Sequence, residues 1–206
     1  MFTGIVQTQA KVLSAIYDNH ALKLTITVNS AYIENLQIGA SIAINGTCLT
    51  VIQFESLGND QASIMFDVID ETLRVTNLNH LNIHDSINLE RSLKVGDEIG
   101  GHMVSGHIHL QASVNQIELS PENCKITFSC KPIWMKYILP KGFITINGTS
   151  LTVGKVGEAD FCVHLIPETL KITNLGKLNK SDLVNIELDQ QTVTIVDTIE
   201  RLQLAK

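Results

Sequence analysis

Asn45-Gly-Thr-Cys-Leu-Thr-Val51 recurs 102 positions later as Asn147-Gly-Thr-Ser-Leu-Thr-Val153, with six of the seven residues identical. A repeat at that spacing is the signature of a duplicated structural unit. The same offset aligns Met1, Gly4, Gln9, Ala10 and Val12 with Met103, Gly106, Gln111, Ala112 and Val114, and Gly100-Gly101-His102 precedes the second copy. Further along, Glu71-Thr-Leu-Arg-Val-Thr-Asn-Leu78 returns as Glu168-Thr-Leu-Lys-Ile-Thr-Asn-Leu175 at an offset of 97, and Asn88 and Glu90 return as Asn185 and Glu187. The five residues lost fall between the two motifs. There the longer first copy carries Ser56-Leu-Gly-Asn-Asp60, turn residues expected in a surface loop that tolerates length changes.

Within the first copy the pattern is short, β-branched and alternating. Leu22–Val28, Ser41–Ile44, Leu49–Ile52, Ala62–Phe66 and Ser86–Leu89 read as strands separated by Asn, Asp and Gly. About six short strands per copy predict a small closed antiparallel barrel, because closure removes edges that so small a sheet cannot otherwise protect. The expected architecture is all-β: two tandem six-stranded, Greek-key-like barrels related by the repeat, followed by a C-terminal α-helix. The boundaries are drawn at 1–98, 99–190 and 191–206. Short helices are expected at Ala31–Leu36, at Pro132–Leu139 and near each Glu-Thr-Leu. The final helix fits 192–204, where Ile195, Val196, Ile199 and Leu202 share one face opposite Asp197, Glu200 and Arg201, a candidate oligomer contact.

Composition narrows the function. The 206 residues are 44% hydrophobic and 17% charged, far from the make-up of a disordered chain. Fifteen Lys and Arg against 21 Asp and Glu give a net charge of -6, which excludes a basic nucleic-acid-binding role. Met1–Val6 lacks the basic and apolar regions of a secretory signal, and no apolar run reaches the roughly 18 to 20 residues of a bilayer span. Cys48, Cys124, Cys130 and Cys162 form no C-x-x-C pair, which fits a reducing cytoplasm and counts against a structural zinc site.

The repeated motifs admit two readings each. Asn-Gly supplies the φ > 0 turn of a hairpin, and the strand after it offers alternating N–H and C=O groups. Glu-Thr-Leu is either helix-capping chemistry or a carboxylate and hydroxyl for a polyol ligand. In Gly100-Gly-His-Met-Val-Ser-Gly-His-Ile-His109, His107 and His109 would share a strand face, but no third metal ligand is placed. There is no Gly-x-Ser-x-Gly elbow, Walker loop or dinucleotide fingerprint. The residues alone reach two similar pockets without nucleotide chemistry.

Met1-Phe-Thr-Gly-Ile-Val6, Asn45–Val51, Glu71-Thr-Leu-Arg74, Gly100–His107, Lys141-Gly-Phe143 and Ile166-Pro-Glu-Thr-Leu170 together resemble the α-chain family of riboflavin synthase, from end to end of the chain. The resemblance implies two lumazine-binding barrels and a trimerising helix. The implied reaction converts two molecules of 6,7-dimethyl-8-ribityllumazine into riboflavin and 5-amino-6-(D-ribitylamino)uracil, with no cofactor and no metal. A homotrimer is implied, with lumazine synthase a candidate partner and no nucleic acid or membrane involved.

Catalytic roles fall by this resemblance on Ser41, Cys48 and His102, the last as proton carrier. The implied substrate-binding set comprises Phe2, Thr3, Gly4, Ile5 and Val6; Cys48, Leu49 and Thr50; Asp67, Val68, Ile69, Asp70, Glu71 and Thr72. From the second copy it takes Gly106, His107 and Ile108; Lys141; Ser150, Leu151 and Thr152; Ile166, Pro167, Glu168, Thr169, Leu170 and Lys171. The family's site forms between the first barrel of one chain and the second barrel of a neighbour. The two pockets differ, since Ser41 aligns with Phe143 and Cys48 with Ser150. A non-catalytic lumazine-carrying antenna protein is the rival reading, and the intact Glu-Thr-Leu, Thr-Asn-Leu and Ser-Gly-His motifs weigh against it.

Overall fold

The computed structural model describes residues 1–18, 21–120 and 123–204. The first barrel comprises β1 (Thr8–Asp18), β2 (Ala21–Asn29), β3 (Ser41–Ile44), β4 (Thr47–Gly58), β5 (Gln61–Ile69) and β6 (Ser86–Arg91). The second comprises β7 (Leu110–Ser120), β8 (Asn123–Ser129), β9 (Phe143–Ile146), β10 (Thr149–Val156), β11 (Asp160–Leu165) and β12 (Leu183–Leu188). Each sheet closes on itself, the first in the order β1-β2-β5-β4-β3-β6 and the second in the equivalent order. All pairings are antiparallel. Strand β2 lies beside β5 rather than β3, the Greek-key connection. Two one-turn helices, α1 (Asp70–Val75) and α2 (Pro167–Ile172), follow β5 and β11, and α3 (Gln190–Leu204) ends the described chain.

Period-2 alternation builds both cores. On β2, Leu22, Leu24 and Ile26 point inward and are fully buried, between Lys23 and Thr25. Each such aliphatic side chain contributes about 1.5–3 kcal/mol on burial. The equivalent cluster of the second barrel centres on Ile126, Phe128, Ile144, Phe161 and Ile186.

Several local expectations are corrected. The five strands named for the first copy omitted β1, whose register slips between Val12 and Ser14. That bulge breaks the alternation a strand reading relies on, and β7 slips at the matching place, between Val114 and Gln116. The segments expected as helices at 31–36 and 132–139 are shorter 3₁₀ turns, Ser30–Ile33 and Pro132–Tyr137, since so few residues do not offset helix nucleation. The expected loop at Ser56–Asp60 is a tight turn at Asn59 and Asp60, with φ of 50° and 57°, between strands that run almost to it.

Helix α3 begins two residues before the expected 192. Asp189 caps it by accepting from the Thr192 N–H at 2.9 Å and the Thr192 hydroxyl at 2.7 Å. Val193 packs on the second core, the Tyr137 hydroxyl donates to Asp197, and Ile195, Ile199 and Leu202 are exposed. Residues 205 and 206 of the expected terminal unit lie outside the described residues.

The repeated asparagines fasten the barrels together. Asn88 Nδ2 donates to the Asn147 carbonyl at 2.8 Å, and Asn185 Nδ2 donates to the Asn45 carbonyl at 2.9 Å. The Asn174 N–H donates to Asn88 Oδ1 and the Asn77 N–H to Asn185 Oδ1, both at 2.7 Å. The two Asn-Gly turns, with φ of 46° and 80° in the first and 44° and 81° in the second, abut at this pseudo-two-fold axis. A Cβ on Gly46 would stand 2.6 Å from the Gly148 nitrogen. The motif is therefore a hairpin turn and an inter-barrel contact at once.

Candidate functional site

The β3–β4 hairpin has two faces. Ile42, Ile44, Leu49 and Val51 enter the core, which leaves Ser41, Ala43, Cys48 and Thr50 on the other side. Register pairs Ser41 with Thr50 and Ala43 with Cys48, so Ser41 and Cys48 share that face on a diagonal rather than directly opposite. In the second barrel the corresponding face carries Phe143, Thr145, Ser150 and Thr152.

One edge of each hairpin is splayed. The β4–β5 ladder runs only as far as Val51↔Phe66, and Cys48–Thr50 have no partner among Asp67–Ile69. The β10–β11 ladder likewise ends at Val153↔Val163, so Ser150–Thr152 have no partner among His164–Ile166, although His164 and Leu165 stay paired to β8 on their far side. On their far sides Asp67–Ile69 remain paired to β2. Each splayed strand then turns into a one-turn helix bearing Glu71-Thr72 or Glu168-Thr169. No side chain caps either helix, whose N-cap positions are Ile69 and Ile166, so the capping reading of Glu-Thr-Leu fails. Glu71 instead pairs with Arg74 at the surface. Thr72 and Thr169 are half-buried, Pro167, Glu168 and Lys171 are exposed, and Leu170 packs on the second core.

Two crossing segments cover the hairpins. Phe2 and Val104 bond each other as an antiparallel bridge. The Ser150 N–H donates to the Gly4 carbonyl at 2.7 Å, and the Cys48 N–H donates to the Gly106 carbonyl at 2.8 Å. The Cys48 and Ser150 backbone donors are therefore taken, and the free edge begins at exposed Thr50 and Thr152. Only glycine fits the two carbonyl positions: φ is +73° at Gly4 and +84° at Gly106, and a Cβ would lie 2.6 Å from Ser150 Cβ and 2.5 Å from Cys48 Cβ.

Two carboxylates absent from the sequence-derived site hold these segments. Glu90 Oε1 accepts from the Thr3 N–H at 2.7 Å and its hydroxyl at 2.8 Å, while Oε2 accepts from the Gly4 N–H at 3.1 Å. Glu187 repeats the pattern with the Ser105 N–H and hydroxyl, both at 2.7 Å, and the Gly106 N–H at 2.9 Å. Burial raises both carboxyl pKa values, and these same hydrogen bonds oppose the rise. Their recurrence at the repeat offset was the signal that could have found them.

The two faces are chemically unequal. Phe2 is fully buried against Ala43 and Val104, with Cys48 packed beside it. On the second barrel His102 Nδ1 lies 2.7 Å from Ser150 Oγ and Nε2 lies 3.2 Å from Thr145 Oγ1, with the imidazole stacked on Phe143 at 4.9 Å. Burial lowers the His102 pKa and Asp189 partly offsets that effect. Within one chain His102 thus joins Ser150 and not the Ser41–Cys48 hairpin.

The remaining candidates are more scattered. Ile5 and His107 are exposed, Ile108 is half-buried and Val6 is buried. Lys141 sits at φ 66° and donates its N–H to the Val153 carbonyl. His107 and His109 precede β7 instead of sharing a strand face, and His109 Nδ1 accepts from the Leu188 N–H. Among the described residues no cluster of His, Cys, Asp or Glu is disposed to hold a metal ion. A cleft of about 600 Å³ lies at the pseudo-two-fold axis, lined in part by Lys11, Asn77, Asn174 and Lys177. The splayed edges lie apart from it.

Comparison with known proteins agrees with this geometry. The profile of the lumazine binding domain matches residues 3–92 and again 105–189. Riboflavin synthase of Escherichia coli (strain K12) is 48% identical over 207 aligned residues, covering 100% of this chain and 95% of the relative. That of Chlamydia pneumoniae is 40% identical, covering 98% of this chain and 96% of the relative. Among solved structures, LumP complexed with riboflavin superposes with a TM-score of 0.82 at 27% identity, over 92% of this chain and 100% of LumP. LumP complexed with 6,7-dimethyl-8-(1'-D-ribityl) lumazine gives 0.81 at 25% identity, with the same coverage. Two lumazine-binding domains in tandem and full-length identity at this level place the chain in the riboflavin synthase family.

Proposed function

We propose that the protein is a riboflavin synthase that transfers a four-carbon unit between two molecules of 6,7-dimethyl-8-ribityllumazine, yielding riboflavin and 5-amino-6-(D-ribitylamino)uracil. The observation that carries this reading is the duplicated splayed edge. A reaction between two identical molecules requires two similar pockets, and each barrel offers an open backbone edge ending at a Glu-Thr pair. The enzymatic relatives are 36–48% identical, against 25–27% for LumP, which favours catalysis over mere chromophore binding.

The lumazine pyrimidine edge alternates carbonyl acceptors with an N–H donor, which extended backbone at Thr50 or Thr152 complements. The ribityl chain then runs toward Asp67–Thr72 in the first barrel or Ile166–Lys171 in the second. Chemistry begins with loss of a proton from the 7-methyl group. N–H donors at the pyrimidine carbonyls stabilise the resulting delocalised anion, so a strong base is unnecessary. His102, biased toward its neutral form by burial, can accept that proton, and Ser150 and Thr145 fix its ring. The Cys48 thiol and Ser41 hydroxyl act on the first-barrel ligand, and alignment of the two bound molecules contributes the remaining acceleration. The two substrates supply and accept the four carbons themselves, so no cofactor enters.

We assign the lumazine-binding units to residues 1–98 and 99–190 and the oligomerising helix to 191–206. The open edges of one chain are completed by the opposite barrel of a neighbour, which brings Phe2, Thr3, Ser41, Cys48 and Thr50 toward the neighbour's counterparts of His107, Lys141, Ser150 and Thr152. Exposed Ile195, Ile199 and Leu202 on α3 support a homotrimer held by that helix. A cytoplasmic location and association with lumazine synthase, which would supply the substrate, belong to the same reading. Incubating the protein with 6,7-dimethyl-8-ribityllumazine alone should produce the flavin absorption band, and an unchanged spectrum would remove the assignment.

A further inference from the structure

We propose that Glu90 and Glu187 are positioning residues that act crosswise, each ordering the functional face of the barrel to which it does not belong. This inference deepens the synthase reading and rests on it for the roles of Cys48, His102 and Ser150.

The connections are short. Glu90, on β6 of the first barrel, clamps Thr3 and Gly4. The Thr3 carbonyl accepts from the His102 N–H at 3.1 Å and the Gly4 carbonyl from the Ser150 N–H at 2.7 Å, and both recipients serve the second barrel's face. Glu187, on β12 of the second barrel, clamps Ser105 and Gly106. The Gly106 carbonyl receives the Cys48 N–H of the first barrel at 2.8 Å. Three donors converge on each carboxylate: two backbone N–H groups and one hydroxyl. A carboxylate offers only acceptors there, whereas glutamine would turn an NH₂ toward a donor. With 4% and 3% exposure, both carboxylates are buried where these hydrogen bonds are their partners. The duplicated Thr/Ser-Gly and Asn-x-Glu motifs are thus two halves of one device, which makes each reacting face depend on the other barrel's framework.

Amide hydrogen exchange by NMR on the full-length protein tests this, with Glu90→Gln and Glu187→Gln and the milder Thr3→Val and Ser105→Ala, which each delete one donor. Loss of the Glu90 clamp should accelerate exchange at His102 and Ser150 about tenfold more than at Cys48, and loss of the Glu187 clamp should do the reverse. In turnover, Glu90→Gln should be non-additive with Ser150→Ala and multiplicative with Cys48→Ser, and Glu187→Gln should show the opposite pairing. Equal acceleration at all three amides, or coupling confined within each barrel, would overturn the crosswise assignment. Exchange needs no turnover, so a wild-type chain that formed no riboflavin would refute the functional reading while the amide pattern still decided the positioning.

Discussion

His102 Nδ1 stands 2.7 Å from Ser150 Oγ, and no such imidazole contact exists at Cys48, its counterpart in the first barrel, among the described residues. Two pockets descended from one unit have therefore acquired different polar equipment, as a reaction between two identical molecules in unequal roles requires. Burial holds the His102 pKa below the ordinary imidazole value of about 6.5. An unfolded chain then binds the proton more readily than the folded one, so His102 contributes stability above that value and loses it as pH falls toward the lower folded pKa. Thermal melts of wild type and His102→Gln should differ in pH dependence through this window, and the acid limb of kcat should lie below the ordinary imidazole range.

Cys48→Ser keeps size and hydrogen bonding but loses the thiol's nucleophilicity. Turnover should fall at least ~10-fold, about 1.4 kcal/mol of barrier, with riboflavin affinity nearly unchanged. Single-turnover kinetics on folded protein checks this. A rate within about twofold of wild type would reduce Cys48 to a packing residue, since that is well under 1 kcal/mol.

Gly106→Ala should destabilise the protein far more than Gly39→Ala. Both residues have positive φ, but the added Cβ meets Cys48 Cβ at 2.5 Å in the first case and nothing within 4 Å in the second. Denaturant titration should show about 1 kcal/mol of left-handed strain at Gly39 and ~3 kcal/mol or more at Gly106, where steric overlap adds.

The barrels were legible because hydrophobic alternation and a repeat are local or self-referential signals. Leu22, Leu24 and Ile26 announce an inward face without knowledge of their partners. Strand β1 was not legible, because its bulge at Val12 destroys the alternation. Asn88 and Glu90 were visible only as repeated letters. Their meaning lies in Asn147, Asn174, Thr3 and Gly4, which no periodicity brings beside them. The candidate site was proposed from motifs on strands, but the use of the Cys48 and Ser150 N–H groups by crossing segments depends on tertiary placement alone.

Asn88→Ala should cost several kcal/mol, because it leaves a buried N–H of Asn174 and the carbonyl of Asn147 without their shared partner. With the pseudo-two-fold contact weakened, chemical unfolding should separate into two transitions, one for each barrel core. A single unshifted transition would deny the asparagines their coupling role.

Removing residues 190–206 should leave ligand binding in the barrels and abolish the proposed trimer, since Val193 packs on the second core while Ile195, Ile199 and Leu202 are exposed and need a partner. Sedimentation would show the lower mass, and turnover should fall much further than affinity.

Four carbons pass from one bound lumazine to another. Substrate labelled with ¹³C at ring carbons 6 and 7 and at both methyl groups tests it directly, with products separated after complete conversion and analysed by mass. All label should appear in riboflavin, doubled in its dimethylbenzene ring, and the pyrimidine product should carry none. Label retained in the pyrimidine, or riboflavin carrying only one substrate's worth of it, would rule out that transfer.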